Sequence, residues 1–404
     1  MKISWKNLNN LFMWIALLSM AVLPALQSQA ANGWRVYIGG YNSDESFGIN
    51  YGTYDTHTGA LELNGLAVAT DNPSYLALHP KGGFIYCVNE TASFEGNGTV
   101  SAFSIDSKTG RLQEISKLST QGTYPCHLAL DHKGRRLAVA NYGSGSLTIF
   151  PINKRSGELS SATAFFPYSG SSLNKARQEG PHAHQAAFDP KSRYLYCCDL
   201  GTDRIAIYKY NNTGIPATAS STPFVEVEPG SGPRHMAFHP KKPFCYVLSE
   251  LSSAVTLYEV SYDSFLWKNI KKNNYHADGK LEEIDSWSLL PPEFEGSSIA
   301  AAIRIHPNGK FLYASNRGHD SIAIFSINQQ SGKLNPMGHI LTGGKNPRDF
   351  AIHPDGETLL VAHQDSNNLV SFLLNPRTGE LTRSAQEPVK VSKPTCILFV
   401  PVKK

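Results

Sequence analysis

The chain of 404 residues has little of what marks a nucleic-acid binder, a zinc-ribbon protein or a protein with several membrane spans. Charge is sparse, at 17% Asp, Glu, Lys and Arg, and nearly balanced, for a formal net charge of +4. So small a surplus gives no electrostatic footprint for nucleic acid. The six cysteines, Cys87, Cys126, Cys197, Cys198, Cys245 and Cys396, include no CxxC or Cys/His spacing suited to zinc. Most lie in strand-like runs such as Ile85-Tyr86-Cys87-Val88, which reads as small buried apolar side chains. A chain of this length buries its own core and needs no disulfides. Low-complexity tracts and blocks of like charge are absent as well.

Only the first thirty residues contain a long apolar run. Lys2 and Lys6 precede an apolar stretch from Leu11 to Leu26, followed by Ser28-Gln29-Ala30. A charged, then apolar, then small-residue order is that of a secretory signal peptide. The stretch is interrupted by Pro24 and is short for a membrane span. The expectation is a signal peptide over 1–30, a periplasmic or secreted location, and no membrane contact after cleavage. Cleavage removes two lysines and lowers the formal charge from +4 to +2. Residues 31–404 are then expected to form a single domain.

Two repeats run through that region. Glycines 59, 110, 157, 214, 279, 332 and 379 sit in similar turns, among them "THTGAL", "SKTGRL" and "QQSGKL". Each follows an alternating run such as "GTVSAFSID", which reads as a strand leading into a hairpin with glycine at the turn. A second repeat comprises "PSYLALHP", "PCHLALDH", "AHQAAFDP", "PRHMAFHP", "AAAIRIHP", "PRDFAIHP" and, at the C-terminus, "PTCILFVP". The first six are followed by a second strand such as "FIYCVNE" or "FLYASNR". The seventh lacks one, and its missing partner is "WRVYIGGY" near residue 34. The fold predicted is all-β: a seven-bladed β-propeller of four-stranded blades, closed by the C-terminal strand pairing with the N-terminal blade.

In such a ring the start of each innermost strand and the end of the next strand lie at one mouth of the central channel. The second residues of the innermost strands are Ser74, Cys126, His184, Arg234, Ala301, Arg348 and Thr395. The following strands end in Asn89-Glu90, Asn141-Tyr142, Asp199-Leu200, Ser249-Glu250, Asn316-Arg317, His363-Gln364 and Gly40-Tyr41. A mouth carrying His182, His184, Arg234, Arg348, Arg317, Glu90, Glu250 and Asp199 is a candidate small-molecule site. His182 and His184, two apart in "GPHAH", would face one side of an extended strand. They suit proton transfer, a polar wall or, lacking a third ligand at a convincing spacing, much less a metal. Arg304 stands where five other innermost strands carry Ala77, Ala129, Ala187, Ala237 and Ala351. A guanidinium there must reach the channel or pair with an acid. His79, His239, His306 and His353 all precede a proline, and that repetition marks them as structural.

The segments "GPHAH", "GSGPRHMAFHP", "YVLSEL", "ASNRGHDSIAIF" and "NPRDFAIHPDG" together resemble the bacterial lactonase family of seven-bladed propellers. That family includes 6-phosphogluconolactonases and 3-carboxymuconate-lactonizing cyclases. The resemblance spans 34–402 and implies hydrolysis of a sugar lactone, a small-molecule substrate and no cofactor or metal. It implies a catalytic set of His182, Arg234, Glu250 and Arg304, with His184, Arg317, Arg348 and Asp199 around the substrate. It would also place an acid two residues before Arg304, where this chain has Ala302. A histidine suits the general base, and arginines suit a carboxylate, a phosphate or an oxyanion. The alternatives are a non-catalytic exported propeller that binds a ligand or protein, and lactonizing-cyclase chemistry at the same site.

Overall fold

The computed structural model describes residues 33–43, 47–210, 224–262 and 279–402. The predicted signal peptide, Gly214 and most of the 262–279 insertion lie outside the described residues. Trp34–Lys404 form one compact unit. Every regular element described in it is a strand, and the strands form seven sheets. Their innermost strands are Tyr75–Leu78, Pro125–Leu130, Ala183–Phe188, Pro233–Phe238, Ile299–Ile305, Pro347–Ile352 and Pro394–Pro401. Each contacts the next, and the last contacts the first, so the ring is closed. Closure is by Pro394–Pro401 pairing antiparallel with Trp34–Gly40, from Trp34 opposite Pro401 to Gly40 opposite Pro394. This is the predicted seven-bladed propeller.

One blade departs from four simple strands. Outside Asn368–Leu374 lie two short strands, Leu381–Arg383 and Val389–Lys390. Pro388 in the gap has no N–H for a ladder, and an edge strand is where such a break is tolerated.

Two kinds of hydrogen bond recur around the ring and join neighbouring blades. In five blades a tyrosine of the second strand donates its hydroxyl to the turn glycine of the following blade. The pairs are Tyr37–Gly110, Tyr86–Gly157, Tyr196–Gly279, Tyr246–Gly332 and Tyr313–Gly379, at 2.7–2.8 Å. A side chain on these glycines is excluded twice. Their φ is positive, at 74–81°. At Gly332, for example, a Cβ would also come within 2.9 Å of the Phe244 ring. In three blades the histidine before the turn proline supplies the second bond. His79, His239 and His306 turn Nε2 to the carbonyls of Gly134, Gly309 and Gly356 at 2.9–3.0 Å. Their Nδ1 accepts a backbone N–H two residues on. Both nitrogens are therefore used in the architecture, as the repetition indicated.

Between these bonds the blades meet through apolar faces. Leu248, Val255 and Leu257 of one blade cluster with Ala300, Leu312 and Ala314 of the next. The six cysteines are free and buried in the sheets.

Candidate active site

Two local features set which side chains reach the channel. The first is a break in the ladder. In four blades the pairing skips one residue near the start of the innermost strand, and the skipped residues are Cys126, His184, Arg234 and Arg348. A residue freed in this way from cross-strand pairing is re-aimed by the bulge. The second is the pleat, which sends neighbouring residues to opposite faces. Sequence reasoning placed both members of each strand-end pair at the mouth, and the structure separates them. Asn89, Asn141, Asp199 and Asn316 turn into the protein and hold incoming loops. Asn89 donates to Thr70 Oγ1 and the Asp71 carbonyl, and Asn316 donates to the Leu289 carbonyl. The residues that follow Asn89, Asn141, Ser249 and Asn316, namely Glu90, Tyr142, Glu250 and Arg317, line a cavity of about 180 Å³.

Cys126, Arg177, His184, Arg234 and Arg348 complete the lining. Glu250 is the centre of the charge network. Its Oε2 accepts from Arg234 Nε and Arg317 Nη2, both at 2.8 Å, and its Oε1 accepts from Arg177 Nη2 at 2.6 Å. Burial would raise this carboxyl, but Arg317 and Arg234 hold it far below the usual carboxylate range. Arg234 is only 2% exposed, and its Nη1 also donates to the Ala301 carbonyl. Burial and the neighbouring Arg317 pull Arg234 down to about 9, which leaves it a cation at neutral pH. Arg317 donates to the Ala300 carbonyl at 2.9 Å, while its Nε is buried with no partner.

A second network lies across the cavity. Arg348 Nη2 donates to the Tyr41 hydroxyl at 2.9 Å, and Nη1 to Gln364 Oε1 at 3.2 Å. The Tyr41 hydroxyl donates in turn to Glu90 Oε1 at 2.9 Å. Glu90 Oε2 is buried without a partner, and so is His184 Nδ1. Burial and Arg234 keep the His184 imidazole well below the ordinary histidine range, and hence neutral. Burial also pushes the Cys126 thiol far up, which removes it as a nucleophile at neutral pH.

Of the eight residues expected at the site, His184, Arg234, Glu250, Arg317 and Arg348 come together on the cavity wall. The other three lie elsewhere. His182 stacks on the Tyr142 ring at 4.5 Å and 14°, whereas His184 meets the same ring edge-on at 5.6 Å and 81°. The strand begins only at Ala183 and the ladder skips His184, so period two does not relate the two rings. His182 Nδ1 faces the Tyr142 carbonyl at 3.0 Å and Nε2 faces Glu179 Oε1 at 3.2 Å. Both partners are acceptors, so a neutral ring satisfies only one of them.

Asp199 sits behind the wall, where its carboxylate accepts from the His182 and Gly201 N–H groups and the Thr202 hydroxyl. Arg304 pairs with Asp349 Oδ1 at 2.7 Å rather than lining the cavity. Asp349 belongs to the neighbouring innermost strand, so Arg304 pairs with an acid of the next blade. Below the cavity the channel narrows around Tyr75, His235, Asp349 and Thr395.

Sequence reasoning missed Arg177. It arrives on the 170–180 loop, outside both repeats, and buried Gln178 fastens that loop by donating to the Leu200 carbonyl at 2.9 Å. The only sequence signal was a cluster of polar residues, "NKARQE", directly before "GPHAH". Among the described residues no three or more His, Cys, Asp or Glu converge in a way that would hold a metal ion.

Known proteins share this fold. The family model "Lactonase, 7-bladed beta-propeller" matches residues 35–399. A 6-phosphogluconolactonase of Bacillus subtilis is 35% identical over 314 residues, 78% of this chain and 83% of that protein. A 6-phosphogluconolactonase of Formosa agariphila is 36% identical over 308 residues, 75% of this chain and 82% of that protein. The crystal structure of a periplasmic gluconolactonase of Pseudomonas aeruginosa superposes with a TM-score of 0.80 at 30% identity. It covers 92% of this chain and 100% of that one. The chain belongs to the lactonase family of seven-bladed β-propellers.

Proposed function

We propose that this protein hydrolyses a sugar lactone that carries an anionic group. The observation behind the reading is the charge of the cavity wall. Arg177, Arg234, Arg317 and Arg348 face only two carboxylates, Glu90 and Glu250. Glu250 ties three of the arginines together, leaving a surplus of positive charge around a cavity whose Arg234 and Glu250 are buried. That surplus suits a phosphate or carboxylate, which guanidinium groups bind bidentately. It favours a phosphorylated aldonolactone over a neutral one, and the two related 6-phosphogluconolactonases support this choice.

In the reaction, water attacks the lactone carbonyl carbon, negative charge develops on the carbonyl oxygen, and the ring C–O bond then breaks. Donors placed where that charge appears are the main source of rate. Arg317, whose Nε lacks a partner, and Arg234, locked by Glu250, are the donors we assign to the oxyanion. Arg177 and Arg348 are assigned to the anionic substituent. His182 packs the rim through Tyr142, and Asp199 fixes its backbone. The polar 1–30 start and apolar run support export to the periplasm, where an unphosphorylated lactone would be the commoner encounter, so substrate and location test each other.

The deciding experiment compares turnover of δ-gluconolactone and its 6-phosphate by the purified protein, corrected for spontaneous hydrolysis. The expected result is a higher kcat/KM for the phosphorylated lactone, a preference lost in Arg177→Ala. Stabilisation by aldonates with no turnover above background would instead establish a binding propeller. Cell fractionation with an epitope tag checks the location.

A further inference from the structure

We propose that Glu90 is the general base of this hydrolysis, and that Tyr41 and Arg348 position it. The inference rests on the lactonase reading and names the group that activates water. A base needs a free lone pair on the cavity and a partner that fixes its direction. Glu90 meets both conditions. Its Oε1 accepts from the Tyr41 hydroxyl at 2.9 Å, and that hydroxyl accepts from Arg348 Nη2 at 2.9 Å. Its Oε2 is buried, lacks a partner, and belongs to a residue that lines the cavity. Arg317 Nε is likewise buried and unpaired on the wall of the same cavity. An acceptor and a donor thus wait unpaired around one space, as needed for a water proton and a carbonyl oxygen.

The other candidates are occupied or unsuited. Glu250 has both oxygens bonded to arginines and is held strongly ionised, which makes it a poor proton acceptor. His184 is kept neutral by burial and by Arg234, and the imidazolium it would form is disfavoured for the same reasons. His182 has both ring nitrogens against acceptors, and is not among the residues lining the cavity.

The step balances as follows. Glu90 Oε2 takes a proton from water as the water oxygen bonds to the carbonyl carbon, and the carbonyl π pair moves to oxygen beside Arg317 and Arg234. The tetrahedral intermediate collapses and the ring C–O bond breaks. The departing ring oxygen receives the proton from the Glu90 carboxylic acid. The product is a hydroxy acid, which loses its proton to solvent and leaves Glu90 ionised.

The test measures kcat and KM of wild type, Glu90→Gln, Glu90→Ala and Tyr41→Phe on the best lactone, with thermal unfolding and aldonate binding to verify the fold. Glu90→Gln is expected to lower kcat by about 100-fold or more with KM changed little, the usual range for a lost general base. Formate is expected to restore part of the activity of Glu90→Ala. Tyr41→Phe removes the bond that directs the carboxylate, so it should lower kcat by less than Glu90→Gln does, with KM changed little. Unchanged kcat in Glu90→Gln, or a rise in KM alone, overturns the proposal while leaving the lactonase reading intact. No turnover by the wild type overturns that reading, and this proposal with it.

Discussion

The blade junctions and the axial channel are built from the same seven-fold repeat and treat it in opposite ways. At the junctions the repeat is kept. A tyrosine and a histidine from one blade bond glycine carbonyls of the next, with little variation in distance. In the channel the repeat is broken. Equivalent skipped positions carry Cys126, His184, Arg234 and Arg348, and equivalent strand ends carry Glu90, Tyr142, Glu250 and Arg317. Repetition serves whatever each blade must do alike, which is to hold its neighbour. A small asymmetric ligand needs a different group from each direction, so the binding surface has to depart from the repeat.

The largest effect is expected where the channel charges are most interdependent. Glu250→Ala would leave Arg177, Arg234 and Arg317 facing one another without their shared acid. Losing one member of a buried ion cluster costs about 3–5 kcal/mol, because the partners stay buried and unpaired. Denaturant unfolding should show that loss together with abolished turnover. A variant as stable as the parent would mean that water already compensates the arginines and that the cluster is not a buried unit.

The channel also holds imidazoles that burial keeps neutral. His127, His184 and His235 are all driven well below 6.5 by burial first, and then by Arg304 and Arg234 around His127 and by Arg234 beside the other two. In the unfolded chain each protonates near pH 6.5. Below that pH the unfolded chain therefore binds more protons, and stability falls as the pH drops. Each such group contributes a slope of up to about 1.4 kcal/mol per pH unit. Urea midpoints from pH 7.5 to 5 should decline, and His127→Asn should flatten the decline. A decline that His127→Asn leaves unchanged would remove His127 from its sources and leave His184 and His235 to be tested in turn.

A junction bond should affect stability alone. Tyr246→Phe removes the donor to the Gly332 carbonyl and leaves that buried oxygen unsatisfied. The cost is about 1–3 kcal/mol, with kcat and KM unchanged. A change in kcat would show that a junction transmits to the channel and would end the division drawn above.

The same division explains how much could be read from the sequence. Turn glycines and a related eight-residue strand motif each recur at seven places, so blade number and closure were legible. Arg234, Glu250, Arg317 and Arg348 were legible as departures from the repeat at known register positions. Asp199 was misplaced because a pair of residues at a strand end does not reveal which member the pleat sends inward. Arg304 stood out by charge, but its partner Asp349 is 45 residues away on another blade, a distance the repeat does not encode. Arg177 could not be read at all, because the loop that carries it has no register with the blades.

The smallest effect is expected at the closing seam, where the junction rule itself should fail. His306 and His353 occupy the same place in consecutive blades and are 2% and 1% exposed. His306 Nε2 donates to Gly356, but His353 faces Trp34 and Phe399 of the closing blade. Its Nε2 is buried without a partner. Nδ1 lies 2.8 Å from Asp355 Oδ1, and the ring packs edge-on against Trp34 and Phe399. Phenylalanine keeps the ring and drops the nitrogens. At 306 that strips the Gly356 carbonyl of its donor and should cost about 1–3 kcal/mol. At 353 it removes an unsatisfied polar atom from an aromatic nest and sacrifices only a contact with the partly exposed Asp355 side chain, so the change should stay below about 1 kcal/mol. Parallel urea titrations of the two variants decide the matter, and equal losses would mean that the seam holds its histidine as firmly as any other junction.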